Sequence, residues 1–174
     1  TSAGNLSNFR FFTNDFETDT SGIDVVATYL PQAWSGTQFN LIYNHTETEV
    51  ADFNPDTLDG TRIRELQEGL PENRWNISGS HEADKWRFLT RLSYYDGWFD
   101  SEDGITYGGE YLVDMEFSYS WTDKFSAVVG GQNIFDTLPE ENPGARDGVG
   151  NLYSQFTPFG FNGGFFYARL KYDF

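Results

Sequence analysis

Charged side chains that alternate with apolar ones are where this sequence could do chemistry. Arg87 and Arg91 are interleaved with Trp86, Phe88, Leu92 and Tyr94, while Asp114 and Glu116 are interleaved with Val113, Met115 and Phe117. Side chains two residues apart share one face of an extended strand, so each pair of charges projects from a single polar face. If the two segments pair through a hairpin centred near Asp103 and Gly104, Arg91 is expected opposite Glu116. Arg169, Lys171 and Asp173 continue the pattern near the end of the chain. The expected chemistry is ion pairing between neighbouring strands and with whatever they enclose, because ligand specificity tends to reside in loops.

Other chemistries find little footing. The two histidines, His45 and His81, fall in separate segments on the apolar parity, without a Cys or carboxylate at ligand spacing. That pattern suits interfacial side chains better than metal ligands. Cysteine is absent, which removes disulfides and thiolate sites. No serine sits in a nucleophile elbow, and the glycine-rich GVG and GFNGG stretches lack the lysine and helix of a phosphate loop. Asp52, Asp56, Asp59, Glu65, Glu68 and Glu72 make one connection acidic, and Glu140, Glu141 and Asp147 do the same for another. Their spacing does not fit a calcium loop, so a solvated acidic surface is expected. A formal net charge of -16 argues against a nucleic-acid partner. Neither an enzymatic activity nor a cofactor or resident metal is expected.

The elements that must position these groups are strands. Tyr111, Val113, Met115, Phe117, Tyr119 and Trp121 form an apolar face against Leu112, Asp114, Glu116, Ser118 and Ser120. Residues 86–98 repeat this, with Thr90 and Asp96 as blemishes on the apolar face. Shorter patterns at 9–14, 23–29, 39–45, 75–81, 125–133 and 163–174 bring the count to roughly eight strands. A single helix is expected over 62–70, where Ile63, Leu66 and Leu70 share a face before Pro71. Short connections at 30–36, 82–85 and 122–124 alternate with long ones at 47–73, 100–108 and 136–162, after a first link of intermediate length at 15–22.

Although 38% of residues are hydrophobic and mean hydropathy is only -0.56, aromatic residues make up 18% of the 174. No apolar run approaches the roughly 20 residues of a membrane helix, whereas strands of about 9 to 11 residues suffice to cross a bilayer. Trp34, Trp86 and Trp121 lie beside the short turns, and Trp75 and Trp98 lie at the opposite strand ends. Rings at both ends of the strands are expected to form an interfacial aromatic girdle. Phe156, Phe159 and Phe161 in the last long connection are expected to pack it down on the rim. The fold expected is all-β, a transmembrane antiparallel barrel with short turns on one side and long loops on the other.

Three segments sharpen this. TSGIDVVATYL at 20–30, GQNIFD at 131–136 and NLYSQFTPFGFNGGFFYARLKYDF at 151–174 together resemble the C-terminal end of the TonB-dependent outer-membrane receptors, gated transporters with barrels of about 22 strands. The resemblance implies that residues 1–174 are the C-terminal part of such a barrel, with the plug domain and the N-terminal strands absent from this sequence. It implies energy-coupled uptake of a scarce nutrient, most often a ferric siderophore, across the outer membrane of a Gram-negative bacterium. Partners would be outer-membrane lipid, the barrel assembly machinery, the plug domain and the TonB energy-coupling complex. Phe166, Leu170, Tyr172 and Phe174 resemble the assembly signal of such proteins. Arg87, Arg91, Asp114, Glu116 and Arg169 would face the lumen. The chain opens at Thr1 without a signal-peptide pattern, so it is expected to be mature or a piece of something longer.

Two alternatives remain open to the sequence. One is a complete eight-stranded outer-membrane barrel with a structural or adhesion role. The other is a soluble carbohydrate-binding β-sandwich. A lipid-facing Phe117 makes a direct demand on assembly: Phe117→Arg is expected to cost about 2 to 4 kcal/mol near the bilayer midplane, with Ser118→Arg mild. Folding titrations into lipid vesicles measure both, and equal losses would refute the assigned facing.

Overall fold

Strict alternation translates directly into strand pairing. The computed structural model describes residues 14–174 and contains nine strands and two short helices. Seven strands form one antiparallel wall: β1 (Phe16–Tyr29), β2 (Thr37–Phe53), β3 (Asn73–Ala83), β4 (Trp86–Tyr95), β7 (Glu110–Thr122), β8 (Phe125–Gln132) and β9 (Phe165–Tyr172), with β1 and β9 at its edges. The remaining two, β5 (Trp98–Asp100) and β6 (Ile105–Tyr107), make a separate small hairpin.

Register keeps every apolar set on one side. Ala27, Leu41, Ile77, Leu92 and Val113 form one row across five strands, and His81, Phe88, Phe117, Val129 and Ala168 form another. This face stays uncovered: Phe117 is 42%, Val129 54% and Leu170 76% exposed. A sandwich would bury it beneath a second sheet, whereas here the apolar face is left uncovered, as in the wall of a transmembrane barrel. The opposite face carries Asn40, Ser78, Arg91 and Asp114 in one row and Ser80, Leu89 and Glu116 in the next.

Short turns join the wall strands at one end. Asp84 and Lys85 join β3 to β4, Asp123 and Lys124 join β7 to β8, and 30–36 join β1 to β2. Asp84 has φ 45°, the left-handed conformation that a short polar side chain tolerates in a tight hairpin turn. At the other end lie the three long connections, as the alternation of short and long links implies.

Several expectations need correction. The proposed strand at 9–14 lies almost entirely outside the described residues. The link expected at 15–22 is strand, and β2 runs on to Phe53, because threonines pair across the extension: Thr20 hydrogen-bonds Thr48 at 3.0 Å. Gly22 and the charges around it had the composition of a turn, but the threonines set an extended ladder. The helix α1 spans Gly60–Glu68 and ends at the Gly69 cap, so Leu70 lies beyond it and exposed. Asp59 caps its start by accepting from the Arg62 N–H at 2.8 Å. A second helix, α2 (Pro143–Val149), occupies the last long connection, where Gly and Pro hid it.

The connections are not independent loops. Trp98 stacks on Tyr107 at 4.5 Å, and both are buried with Phe99 and Leu58. The Arg64 guanidinium of α1 lies 4.0 Å over the Phe99 ring and donates to the Thr106 hydroxyl at 2.8 Å. Asn142 donates to Asp103 at 2.6 Å, drawing the segment that carries α2 onto the same hairpin. These contacts make a dry cap. Trp98 is 2% exposed inside it, so the expectation that this ring belongs to an interfacial girdle is overturned. Its place at a strand end was right in sequence, but β4 stops at Tyr95 and the chain turns away before reaching it. Trp98→Ala should cost about 3 to 5 kcal/mol locally and open the cap to protease, while the heat-modifiable barrel band stays in place; an unchanged cleavage rate would contradict the packing.

Candidate functional site

The inward charges assemble into two clusters. Arg91 on β4 pairs in register with Asp114 on β7, and its Nε donates to Asp114 Oδ2 at 2.8 Å. The sequence expectation had Arg91 opposite Glu116; the register instead sets Leu89 there. The four-residue turn 101–104 joins Asp100 to Ile105 and puts the hairpin centre between Glu102 and Asp103, one residue before the assumed point between Asp103 and Gly104. That step moves every cross-strand partner by two. The Arg91 side chain remains 49% exposed against 17% for Asp114, so one edge of the guanidinium stays open on the inner side.

Glu116 finds other partners. It accepts from the Tyr167 hydroxyl at 2.7 Å and from Arg169 at 3.2 Å, both on β9 and two strands away. The reach is possible because Gly130 lies between them on β8: a Cβ there would run into the Tyr167 ring. Arg87 aligns with Glu82 and Ser118 and enters none of the ion pairs among the described residues.

Asn133 to Asp136 form a turn that sequence reading noted only as a phrase. Asn133 and Asp136 both adopt positive φ, 47° and 56°, which short polar side chains tolerate better than most. The Asn133 N–H donates to Asp114 Oδ1 at 2.9 Å, so both carboxylate oxygens of Asp114 are engaged. The Asn133 side chain closes a two-bond ring with the Thr137 backbone at 2.8 and 3.0 Å. Asp136 Oδ1 accepts from the Gly164 N–H at 2.7 Å. Gly163 has φ 69°, and a Cβ there would collide with that same oxygen. An Asn-x-x-Asp step followed, one long connection later, by Gly-Gly was the available signal.

Above these groups lies a cavity of about 490 Å³, lined among others by Arg91, Ser93, Tyr95, Leu112, Asp114, Asn133, Phe159 and Phe165. Phe159 from the last connection meets Tyr95 of β4 at 5.6 Å, as expected of a ring that packs the connection down, whereas Phe161 stays exposed and stacks at 6.2 Å on Tyr153 of the same connection. Phe156 remains exposed. A guanidinium edge beside aromatic rings can hold an anionic, planar ligand group. No group of three or more His, Cys, Asp or Glu among the described residues is arranged to hold a metal ion.

The outer face carries a polar belt at the long-loop end. Asp96, the blemish on the apolar parity, accepts from Asn73 at 2.7 Å, from the Gly97 N–H at 2.9 Å and from the Tyr94 hydroxyl at 3.1 Å. Asn73 Oδ1 in turn accepts from the Tyr43 hydroxyl at 2.9 Å and from His45 Nδ1 at 3.0 Å. Trp75 packs at 5.6 Å from Tyr94 and 5.9 Å from Tyr111 in the same belt. Toward the short turns, His81 meets Trp86 at 5.0 Å, Trp121 stacks on Phe125, and Trp34 stands exposed.

No family model and no curated protein matches this chain. Solved structures do. The ferric yersiniabactin uptake receptor FyuA from Yersinia pestis superposes with a TM-score of 0.57 at 17% identity over 73% of this chain and 20% of its own. FpvA of P. aeruginosa, bound to a heterologous pyoverdine with iron, gives 0.56 at 17% over 71% and 16%. The ferric-catecholate import receptor Fiu from E. coli K12, in its closed form, gives 0.51 at 15% over 67% and 16%. The chain therefore spans about a fifth or less of the receptors it matches, and its fold is that of a barrel segment of TonB-dependent receptors.

Titration offers a check on the cap and belt. Asp96 is held below the usual carboxylate range by the Asn73 amide against the effect of burial, with help from Gly97 and Tyr94, and Glu65 is held low chiefly by Arg62. Burial, then the charge of Asp100, pushes the Tyr107 phenol up. A depressed carboxylate contributes stability above its unfolded value near 4 and loses it as pH falls through the folded one; a raised phenol loses its contribution as pH rises from about 10 through its folded value. Protection of the 96–107 amides, measured against their intrinsic exchange rates, should therefore fall at both ends of the pH range, and protection unchanged at both ends would oppose these assignments.

Proposed function

We propose that this chain is the C-terminal wall of a TonB-dependent receptor that imports a ferric siderophore across the outer membrane of a Gram-negative bacterium, acting as a transporter and not as an enzyme. The observation that carries the reading is the cavity on the polar side of a wall whose apolar face is left uncovered, with Arg91, Tyr95 and Phe159 in its lining. The receptors with this fold named above are described with ferric siderophores or ferric catecholates, which supports the cargo class. Anionic and planar groups suit that rim.

In this reading Arg87, Arg91, Asp114, Glu116 and Arg169 face the lumen and the plug domain, and TonB drives the transport cycle through that plug. Trp34, Trp75, Trp86 and Trp121 anchor the wall at the two lipid interfaces. Phe166, Leu170, Tyr172 and Phe174 are presented to the barrel assembly machinery; the first three share the outward face of β9 and stay exposed, which suits that role.

Two measurements test the proposal. Disrupting the gene should abolish uptake of at least one radiolabelled ferric siderophore under iron limitation, and Arg91→Ala should weaken binding of that siderophore by roughly tenfold, as loss of one charge-assisted contact does. Undiminished uptake of every ferric siderophore the host can use would refute the cargo class. Deletion of Phe174 should lower the amount of assembled protein and leave the affinity of the assembled fraction unchanged; normal assembly would remove the signal role.

A further inference from the structure

The turn after β8 does more than end a strand. Both feet of the last outer connection are tied to it: Thr137 at the start through the Asn133 side chain, and Gly164 at the return through Asp136 Oδ1. The turn is itself fixed to the wall, since the Ile134 N–H donates to the Val113 carbonyl at 2.8 Å and the Asn133 N–H donates to Asp114. Asp136 N–H closes the turn on the Asn133 carbonyl at 2.9 Å. A continuous hydrogen-bonded path thus runs from Arg91 through Asp114 and Asn133 to Asp136 and the first residues leading into β9.

We infer that Asn133 and Asp136 are positioning residues of the cavity: they hold the last outer connection, and with it Phe159, over the Arg91–Asp114 pair. The connection is held at its far side by Asn142 to Asp103 at 2.6 Å and Gln155 to Glu102 at 3.2 Å, and beside the cavity the Phe159–Tyr95 ring contact is its principal hold besides the clasp. Without the clasp, the side of the connection nearest the cavity would rest on one ring pair against the conformational entropy of a long segment. The positive φ at Asn133, Asp136 and Gly163 shows how closely the backbone must approach itself to make the clasp. The inference rests on the receptor reading only in regarding the enclosed space as a ligand pocket.

The absence of cysteine allows a clean reporter. Leu112→Cys places one thiol on the wall beneath the connection, and its reaction with a bulky maleimide in isolated outer membranes reads how often the connection lifts. Asp136→Gly keeps the backbone freedom but removes the acceptor, and labelling should accelerate by about 3- to 10-fold, the change in open population expected from one lost hydrogen bond. Asp136→Asn keeps both the acceptor and tolerance of positive φ, and should restore the original rate. Thr28→Val, on the inner face of β1 away from the clasp, should change nothing. Asp136→Gly labelling at the original rate would overturn the inference. Should that variant fail to assemble, amide exchange in the unsubstituted protein decides: protected Thr137 and Gly164 amides support the clasp, and exchange at free-loop rates overturns it. Labelling uses no ligand, so its outcome is independent of the uptake assay.

Discussion

Backbone amides and carbonyls facing hydrocarbon have no water to bond, so each must find a partner on a neighbouring strand. The pairing and facing of the wall follow from that demand. Pairing of the seven wall strands satisfies the backbone laterally between them, and the pleat then sends alternate side chains to opposite sides. Because the period is two, a register that sets Ile77 beside Leu92 also sets Ser78 beside Arg91. The lipid face and the polar face are therefore one decision and not two. A slip by one residue would turn both inside out.

The polar face must meet its own requirement in turn. Its charges are largely neutralised within the wall, Arg91 by Asp114 and Glu116 by Tyr167 and Arg169. The second pairing spans two strands, and only the missing side chain of Gly130 lets it do so. Asp114 is shared between Arg91 and the Asn133 backbone, which links the electrostatics of the wall to the geometry of the connection above it. Charge pairing and loop placement are coupled at one carboxylate.

Away from the lipid the chain folds by different rules. The cap at the long-loop end buries Trp98, Phe99, Tyr107 and Leu58 as a soluble domain would, and completes the packing with a guanidinium over a ring. Its acidic residues are mostly exposed or capped, as at Asp59, rather than gathered for a cation. Three connections that are distant in sequence thereby pack as one body, and the last of them also lines the cavity.

Strands β3, β4, β7, β8 and β9, the facing of their side chains and the alternation of short and long connections were legible in the sequence, because a two-residue period is a local signal and lipid amplifies it. The phrase NIFD and the final strand pointed to the barrel class by resemblance to a family, and only the final strand does so by its period as well. Composition misled where local chemistry resembles a turn, as at Gly22, and could not show α2 among Gly and Pro. The partner of Arg91 hung on one residue in the centre of a hairpin, a quantity set by the backbone of a four-residue turn. Trp98, the Asp114–Asn133 bond and the clasp on Gly164 join residues with no common period. Sequence alone thus determined which way each strand residue faces; tertiary structure decided which residues meet, because meeting depends on register and on loop closure, and neither leaves a repeating mark along the chain.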